Sequence, residues 1–338
     1  MLLLLNGRRL LLKLAGLFLL ALLLPVTAQA ADVHDWLERM SRAQKEQNYR
    51  GVLIYGNHQR WETLQLAHAV RQGVEYERLL HLTGAPREVI RQGHDVTCIH
   101  PGEHMMRFNV QANPLKRDFA YQHAAPDAYY GFTLGQQNRV AGRLAQRIDV
   151  TPKDGYRYGY QLWLDRDSGL LLRSDLVDAR QQVLERFQFA AIEIGVALAD
   201  GDFQPQSQGH RLAAHMASHE STDVLEQQRW QIGWLPRGFM VAASQVRAQN
   251  GNALNHPAAD NGQGTLATLM YTDGLAAITV FVDDASGEPP MPLMKQQWGA
   301  TAAVVSYLNT DERQYRISVV GEVPLLTLEK IATSVMPQ

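Results

Sequence analysis

The sequence predicts an α+β fold: one helix, then a long antiparallel β meander, then a smaller α+β unit. Three observations carry this. Residues 33–48 place Trp36, Leu37, Met40 and Ala43 on one helical stripe. From Gly51 to Ile194 the apolar pattern changes to period two and is broken repeatedly by glycine-containing turns. A polar stretch over 201–222 then interrupts the pattern before a second set of strands, which ends in a helix begun by Pro324.

In chain order, the first thirty residues read as a secretory signal. Arg8, Arg9 and Lys13 supply a basic start, Leu14 to Leu24 an apolar run, and Ala28-Gln29-Ala30 a small-x-small cleavage site. The run after Lys13 falls short of the roughly 20 residues that span a bilayer. Cleavage is expected after Ala30. No Cys stands at that point to take an acyl chain, so the product should be soluble and work in an envelope compartment, not in the cytoplasm.

Asp32 suits an N-cap for the 33–48 helix. In the first strand Val52 and Ile54 share one face, and Leu53 and Tyr55 share the other. Leu64 and Leu66 alternate with Thr63 and Gln65. Short strands follow at 76–82, 87–91 and 95–99, with turns at Gly56-Asn57, Gln72-Gly73, Gly84-Ala85-Pro86 and Gln92-Gly93. Residues 112–135 are irregular, with Pro114, Pro126 and an aromatic cluster of Phe119, Tyr121, Tyr129, Tyr130 and Phe132. Strand texture resumes at 139–150. Asp154-Gly155 and Asp167-Ser168-Gly169 are hairpin signals around strands at 158–165 and 170–177, and 183–194 closes the series. The first domain is thus 31–200 and the linker 201–222. The second domain, 223–338, has strands at 230–235 and 239–245, at 265–271 and 276–282 joined by a turn at Asp273-Gly274, and at 302–309 and 314–320. Its helix over 324–335 carries Leu325, Leu328, Ile331, Ala332 and Val335 on its apolar face.

Composition narrows the function. The hydrophobic fraction of 46% is ordinary for a globular chain. A net charge of −2, which grows more negative once the basic leader is removed, argues against general nucleic-acid binding. One cysteine, Cys98, cannot form an internal disulfide, and its strand context reads as a packed thiol. His100 and His104 lack a third ligand at suitable spacing. His219-Glu220 opens like a zinc-protease helix, but Asp223 stands where the second His is needed. The cluster of His210, His215 and His219 reads as solvated or pH-sensitive residues sooner than as ligands. The pairs Asp165/Asp167 and Asp283/Asp284 sit at turns, which accounts for them. No nucleophile elbow, P-loop or dinucleotide fingerprint occurs. No catalytic residue, metal or cofactor is expected, and the chain reads as a binding protein and not an enzyme.

Large side chains on both strand faces in 52–55, 170–172 and 183–194 fit a curved sheet. Such a sheet can cover a helix, fill its own core, or hold an apolar ligand in a half-open barrel. Pattern alone leaves the self-filled core as the simpler choice.

The run Asp154-Gly155-Tyr156-Arg157-Tyr158-Gly159-Tyr160-Gln161-Leu162-Trp163-Leu164-Asp165, followed by Ser168-Gly169-Leu170-Leu171 and Val183-Leu184-Glu185-Arg186-Phe187, resembles the MucB/RseB family. So do Tyr76-Glu77-Arg78-Leu79-Leu80, Gly84-Ala85-Pro86-Arg87-Glu88-Val89, Gly233-Trp234-Leu235-Pro236-Arg237-Gly238-Phe239, and Tyr271-Thr272-Asp273-Gly274-Leu275-Ala276 with Val280-Phe281-Val282. The resemblance covers the whole mature chain except 249–264, which matches no motif of the family. It implies a periplasmic negative regulator of the envelope-stress sigma factor, sigma-E or AlgU. Such regulators bind the periplasmic part of a membrane anti-sigma factor, RseA or MucA, and block its site-1 cleavage until lipopolysaccharide or mislocalised lipoprotein releases it. It also implies a large domain similar to the lipoprotein carriers LolA and LolB, an unclosed β-barrel with a helical plug. On that basis Val52, Ile54, Leu64, Leu66, Leu162, Leu164, Phe187 and Phe189 are candidate lipid contacts. Lys116-Arg117, or Arg87 with Arg91, could meet lipid phosphate, although a solvated face explains them as well. Trp234 and Phe239 are candidate anti-sigma contacts, with a core role as the alternative. A periplasmic lipid or lipoprotein carrier or chaperone is the alternative function, and self-association stays open.

Overall fold

A computed structural model describes residues 32–57, 59–100, 126–215, 230–246, 265–289, 291–311 and 313–338. The expected signal peptide with its Ala30 cleavage site, Phe119, Tyr121, His104, Lys116-Arg117, His219 and the 249–264 segment lie outside the described residues. Among the described residues, no helix is long and apolar enough to cross a membrane.

Helix α1 (Val33–Glu46) forms as its stripe requires, with Val33, Trp36, Leu37, Met40 and Ala43 all buried. The strands that follow are β1 (Tyr49–Gly56), β2 (Trp61–Arg71), β3 (Val74–His81), β4 (Glu88–Gln92), β5 (Asp95–His100), β6 (Tyr130–Leu134), β7 (Asn138–Val140), β8 (Arg143–Pro152), β9 (Gly159–Asp165), β10 (Leu171–Val177), β11 (Val183–Ile194) and β12 (His210–His215). They make one antiparallel sheet ordered β12-β5-β4-β3-β2-β1-β11-β10-β9-β8-β6, with β7 also on β8. Two meanders, β1–β5 and β6–β11, are therefore joined where β1 pairs with β11. Among the described residues the end strands β12 and β6 do not pair, so the sheet is unclosed.

The second part of the chain has β13 (Trp230–Ile232), β14 (Met240–Val246), β15 (Thr265–Thr272), β16 (Ala277–Asp284), β17 (Met294–Trp298), β18 (Thr301–Asn309), β19 (Gln314–Gly321), α2 (Leu325–Ala332) and β20 (Val335–Pro337). Six strands form a sheet ordered β14-β15-β16-β19-β18-β17, and β13 pairs with β20. Helix α2 buries Leu328 and Ile331 in one core with Leu269, Ile278, Val280, Val304, Ile317 and Val319.

The fold is mostly β, more so than the expected α+β class. Five expectations change. The C-terminal helix stops at Ala332 instead of 335, because Val335 enters the core from a strand paired with Ile232. The polar 201–222 stretch contains β12, whose backbone completes the free side of β5. Strand β6 lies in the segment read as irregular, and β17 was not expected because all five of its residues are exposed. The 139–150 strand is broken in two at Ala141-Gly142, both at positive φ.

On the outer face of β8–β11, Trp163 lies under Arg173, whose guanidinium carbon is 4.0 Å from the ring centroid. Arg173 and Arg186 both hold the buried Asp175 carboxylate. Burial alone would raise its pKa, but the hydrogen bonds from Arg186 and Arg173 outweigh burial and hold it below the ordinary carboxylate value. Asp165 is lowered in the same way: burial opposes ionisation, and Arg143 and Ser168 overcome it. A depressed folded-state pKa gives stability that is present above the unfolded value of about 4 and lost as pH falls through the folded value. The urea midpoint should therefore fall steeply below about pH 4, and Asp175→Asn should flatten that dependence. An unchanged acid slope in the variant would remove Asp175 from the account.

Candidate binding site

The inner face of the large sheet is built by register. Leu53 pairs with Phe189 on one side and Leu64 on the other, so all three point the same way. Gly51 pairs with Leu66, and the ring of Phe189 occupies the space where a Gly51 side chain would sit; a Cβ there would lie 2.9 Å from the ring. Leu162 and Leu164 continue the surface on β9.

Leu64, Leu66, Leu162, Leu164, Phe187 and Phe189 all enter one core with Trp36, Leu37, Met40 and Ala43 of α1. All six are almost completely buried, and full burial of a side chain of this size stabilises by about 1.5–3 kcal/mol. Helix α1 thus packs its apolar stripe into this core. Arg39 ties it to the β9–β10 turn by donating to the carbonyls of Arg166 and Asp167 at 2.9 and 3.1 Å. At its other end Gln47 O lies 2.8 Å from Nδ1 of the buried His68, whose Nε2 is 3.0 Å from Glu75.

The eight candidate lipid contacts do not form one surface. Val52 pairs with Gln65, and Ile54 with Thr63 and Gln188, on the outer face. Val52 is half-buried and Ile54 exposed. With apolar residues on both faces of β1, alternation could not say which face turned inward. Near this outer side, Gly56, Asn57, Trp61, Gln182, Val183 and Arg186 line an open surface pocket of about 400 Å³, apart from the inner six. Of the basic candidates, Arg91 lies 3.6 Å from Glu75.

Trp234 and Phe239 lie where the small sheet meets the large one. The Tyr156 ring packs edge-on against Trp234 at 5.0 Å, and the Lys330 ammonium lies over both rings. Phe239 is buried in the small core, with Arg157 5.1 Å from its ring centroid. At Gly238, with φ of +90°, a Cβ would fall within the Tyr129 ring contact, so only glycine admits this approach. Both residues therefore have partners within the chain.

The residues that sequence reasoning missed are at this junction. Arg157 Nε donates to Asp273 Oδ2 at 2.6 Å, and Tyr130 Oη donates to the same oxygen at 2.9 Å. Arg157 also bonds Asp154 and the carbonyl of Arg237. Both side chains of the Arg157–Asp273 pair are fully buried. Asp273-Gly274 is also the turn between β15 and β16 that its sequence predicts. The run of alternating aromatics Tyr156-Arg157-Tyr158-Gly159-Tyr160 was the available signal.

Among the described residues, no three His, Cys, Asp or Glu side chains gather as a metal site. His100 is in β5, and its ring lies 6.1 Å from that of His210 across the β5–β12 pairing.

Comparison with known proteins agrees with this architecture. Residues 32–207 match the MucB/RseB N-terminal domain and residues 224–336 the MucB/RseB C-terminal domain. The chain is 36% identical over 324 residues to the sigma factor AlgU regulatory protein MucB of Pseudomonas aeruginosa, covering 95% of this chain and 96% of that one. It is 28% identical over 305 residues to the sigma-E factor regulatory protein RseB of Escherichia coli K12, covering 88% and 89%. Among solved structures, the MucA/MucB complex of P. aeruginosa superposes with a TM-score of 0.72 at 33% identity, covering 91% of this chain and 99% of that chain. A crystal structure of MucB superposes with a TM-score of 0.60 at 31% identity, covering 92% of this chain and 99% of that chain. Both domain models match in order and the kinship runs along nearly the whole chain, so this protein belongs to the MucB/RseB family.

Proposed function

We propose that this protein is a periplasmic negative regulator of an envelope-stress sigma factor of the sigma-E/AlgU type. It binds the periplasmic segment of a RseA/MucA-type anti-sigma factor and shields that segment from site-1 proteolysis. The observation that carries this reading is the end-to-end similarity to MucB, whose structures with MucA superpose on this chain. The leader directs export and is cleaved after Ala30. The working protein then comprises a lipid-sensing domain over 31–200, a connector over 201–222 and a small domain over 223–338. Trp234 and Phe239 contribute to the anti-sigma surface by holding the junction in shape, since both are engaged there.

The regulatory signal is an acyl chain of a lipid or lipoprotein. It would enter the inner face at Leu64, Leu66, Leu162, Leu164, Phe187 and Phe189, the surface that α1 covers as a plug. Because α1 occupies this face, entry requires the helix to move. The protein's response is bounded by the ligand's difference in affinity between the plugged and open states. The role is one of binding and not of catalysis.

The test is a titration of residues 31–338 with the periplasmic segment of a MucA-type anti-sigma factor, followed by exposure of the mixture to the site-1 protease. Saturable binding at micromolar protein or below, with slowed cleavage, is the expected result. No binding at micromolar protein, combined with transfer of lipoprotein between membranes, would replace this reading with that of a carrier or chaperone.

A further inference from the structure

The tip of the β15–β16 hairpin enters the core of the other sheet. Leu275 is buried in the cluster that holds Leu162, Phe187 and α1, not in the core of its own sheet. Ala300 from the β17–β18 turn joins it there. Both reach the same end of the large sheet, the end formed by the β8–β9, β10–β11 and β1–β2 connections. Tyr158 Oη accepts from Gln297 at that end, and Gly299 approaches Asn57 and the Leu184 carbonyl.

Two tyrosines that belong to the large core hold the tip. Tyr160, on the inner face of β9, donates to Leu275 O at 3.1 Å. Tyr130, the first residue of the end strand β6, donates to Asp273 Oδ2 beside Arg157. The two oxygens of Asp273 divide the work. Oδ1 accepts the N–H groups of Leu275 and Ala276 and closes the turn, while Oδ2 faces Tyr130 and Arg157.

We infer that the hairpin tip Asp273–Leu275 is a removable stopper in one end of the large-sheet core, and that seating it fixes the small sheet against the large one. Its chemistry separates seating from folding. The turn depends on Oδ1 and can persist when Oδ2 loses its partners. The seat is a buried ion pair with two phenol hydrogen bonds, and unseating it takes away one of the two carboxylates that hold the buried Arg157, which is unfavourable. Tyr130 and Tyr160 form the wall of the core as well as the seat. Any apolar ligand that enters this end must displace Leu275 or move those rings, so ligand occupancy and the seated tip compete. The tip is then the link through which the small sheet would register what the large one holds. This last step rests on the acyl-chain reading above; the stopper does not.

The test is interdomain distance by electron spin resonance on residues 31–338 with spin labels at Ala179→Cys and Asp311→Cys, both exposed, in a Cys98→Ser background. The parent should give one narrow distance. Asp273→Asn keeps the Oδ1 acceptor for the turn but turns an amide N–H toward Arg157. It should broaden the distribution at least twofold with unchanged far-ultraviolet circular dichroism. The milder Tyr130→Phe/Tyr160→Phe pair should broaden it in the same direction, and serves if Asp273→Asn fails to fold. A distribution unchanged in the folded variants overturns the stopper. In a second arm, palmitate is titrated into the parent. Saturable binding with the same broadening supports competition, and binding with no change in distance overturns it. Absence of palmitate binding counts against the acyl-chain reading alone, and the variant distances then decide the stopper.

Discussion

Replacing Glu88 by alanine should lower the unfolding free energy by about 3–5 kcal/mol, the range for removing one partner of a buried ion pair. Glu88 on β4 is fully buried and accepts Arg78 Nε at 2.5 Å. Its other oxygen accepts the backbone N–H groups of Gln206 and Ser207 at 2.9 and 2.7 Å. The substitution therefore leaves the Arg78 guanidinium, only 5% exposed, without its counter-charge. It also strips the acceptor from two N–H groups that pin the 200–207 segment to β3 and β4. Burial favours the neutral Glu88 acid, yet the bonds from Arg78, Ser207 and Gln206 hold its pKa below the ordinary value, so the carboxylate is the bound form. Urea denaturation followed by tryptophan fluorescence measures the loss. Limited proteolysis should show new cutting near residues 204–208. A second variant tests the cause: Arg78→Met/Glu88→Leu removes both charges and should recover most of the loss. A drop of less than about 1 kcal/mol in Glu88→Ala would mean that water reaches Arg78 and that the pair is a surface one.

This same segment shows what the sequence could and could not reveal. Residues 201–222 read as a connector because Pro205, Gly209 and the polar residues around them carry no periodicity. The backbone nonetheless supplies β12 to the free side of β5, and its N–H groups supply donors to Glu88. Edge strands such as β12 and β17 are held by main-chain pairing on one side, so their side chains need not alternate. Elements whose side chains must be buried were legible. The α1 stripe of Trp36, Leu37, Met40 and Ala43 is the buried set, and Asp273-Gly274 does join two paired strands. Leu64, Leu66, Leu162, Leu164, Phe187 and Phe189 are buried together in one core, as their alternation with polar neighbours suggests. Val52 and Ile54 were grouped with them because β1 is apolar on both faces. The Arg157–Asp273 pair spans 116 residues of chain, and no local pattern announces a bond of that length. What the sequence did show was an unusually aromatic run around Arg157, whose meaning lay in a partner surface not yet in view.

Met40→Ala is the variant that separates a filled core from a ligand site. Met40 has no exposed surface and sits at the centre of the α1 stripe, in the cluster with Leu66, Leu162 and Phe189. Truncation should cost about 2–5 kcal/mol, depending on how far the site collapses into the space left. That loss is expected whether or not an acyl chain ever binds. The discriminating quantity is fatty-acid affinity. If α1 is a plug, weakening its hold shifts the population toward the uncovered inner face, and apparent affinity rises by the fraction of molecules opened. A fluorescent fatty acid should then bind Met40→Ala about tenfold more tightly than the parent, since about 1.4 kcal/mol of the lost packing suffices for that change. Val280→Ala, in the core of the small sheet, is the control: it should also destabilise the chain, with no gain in affinity. Equal affinity in all three proteins would make the inner face a self-filled core that only supports the junction. The signal for release would then have to act on the small sheet or its hairpin tip directly, without passing through the space beneath α1.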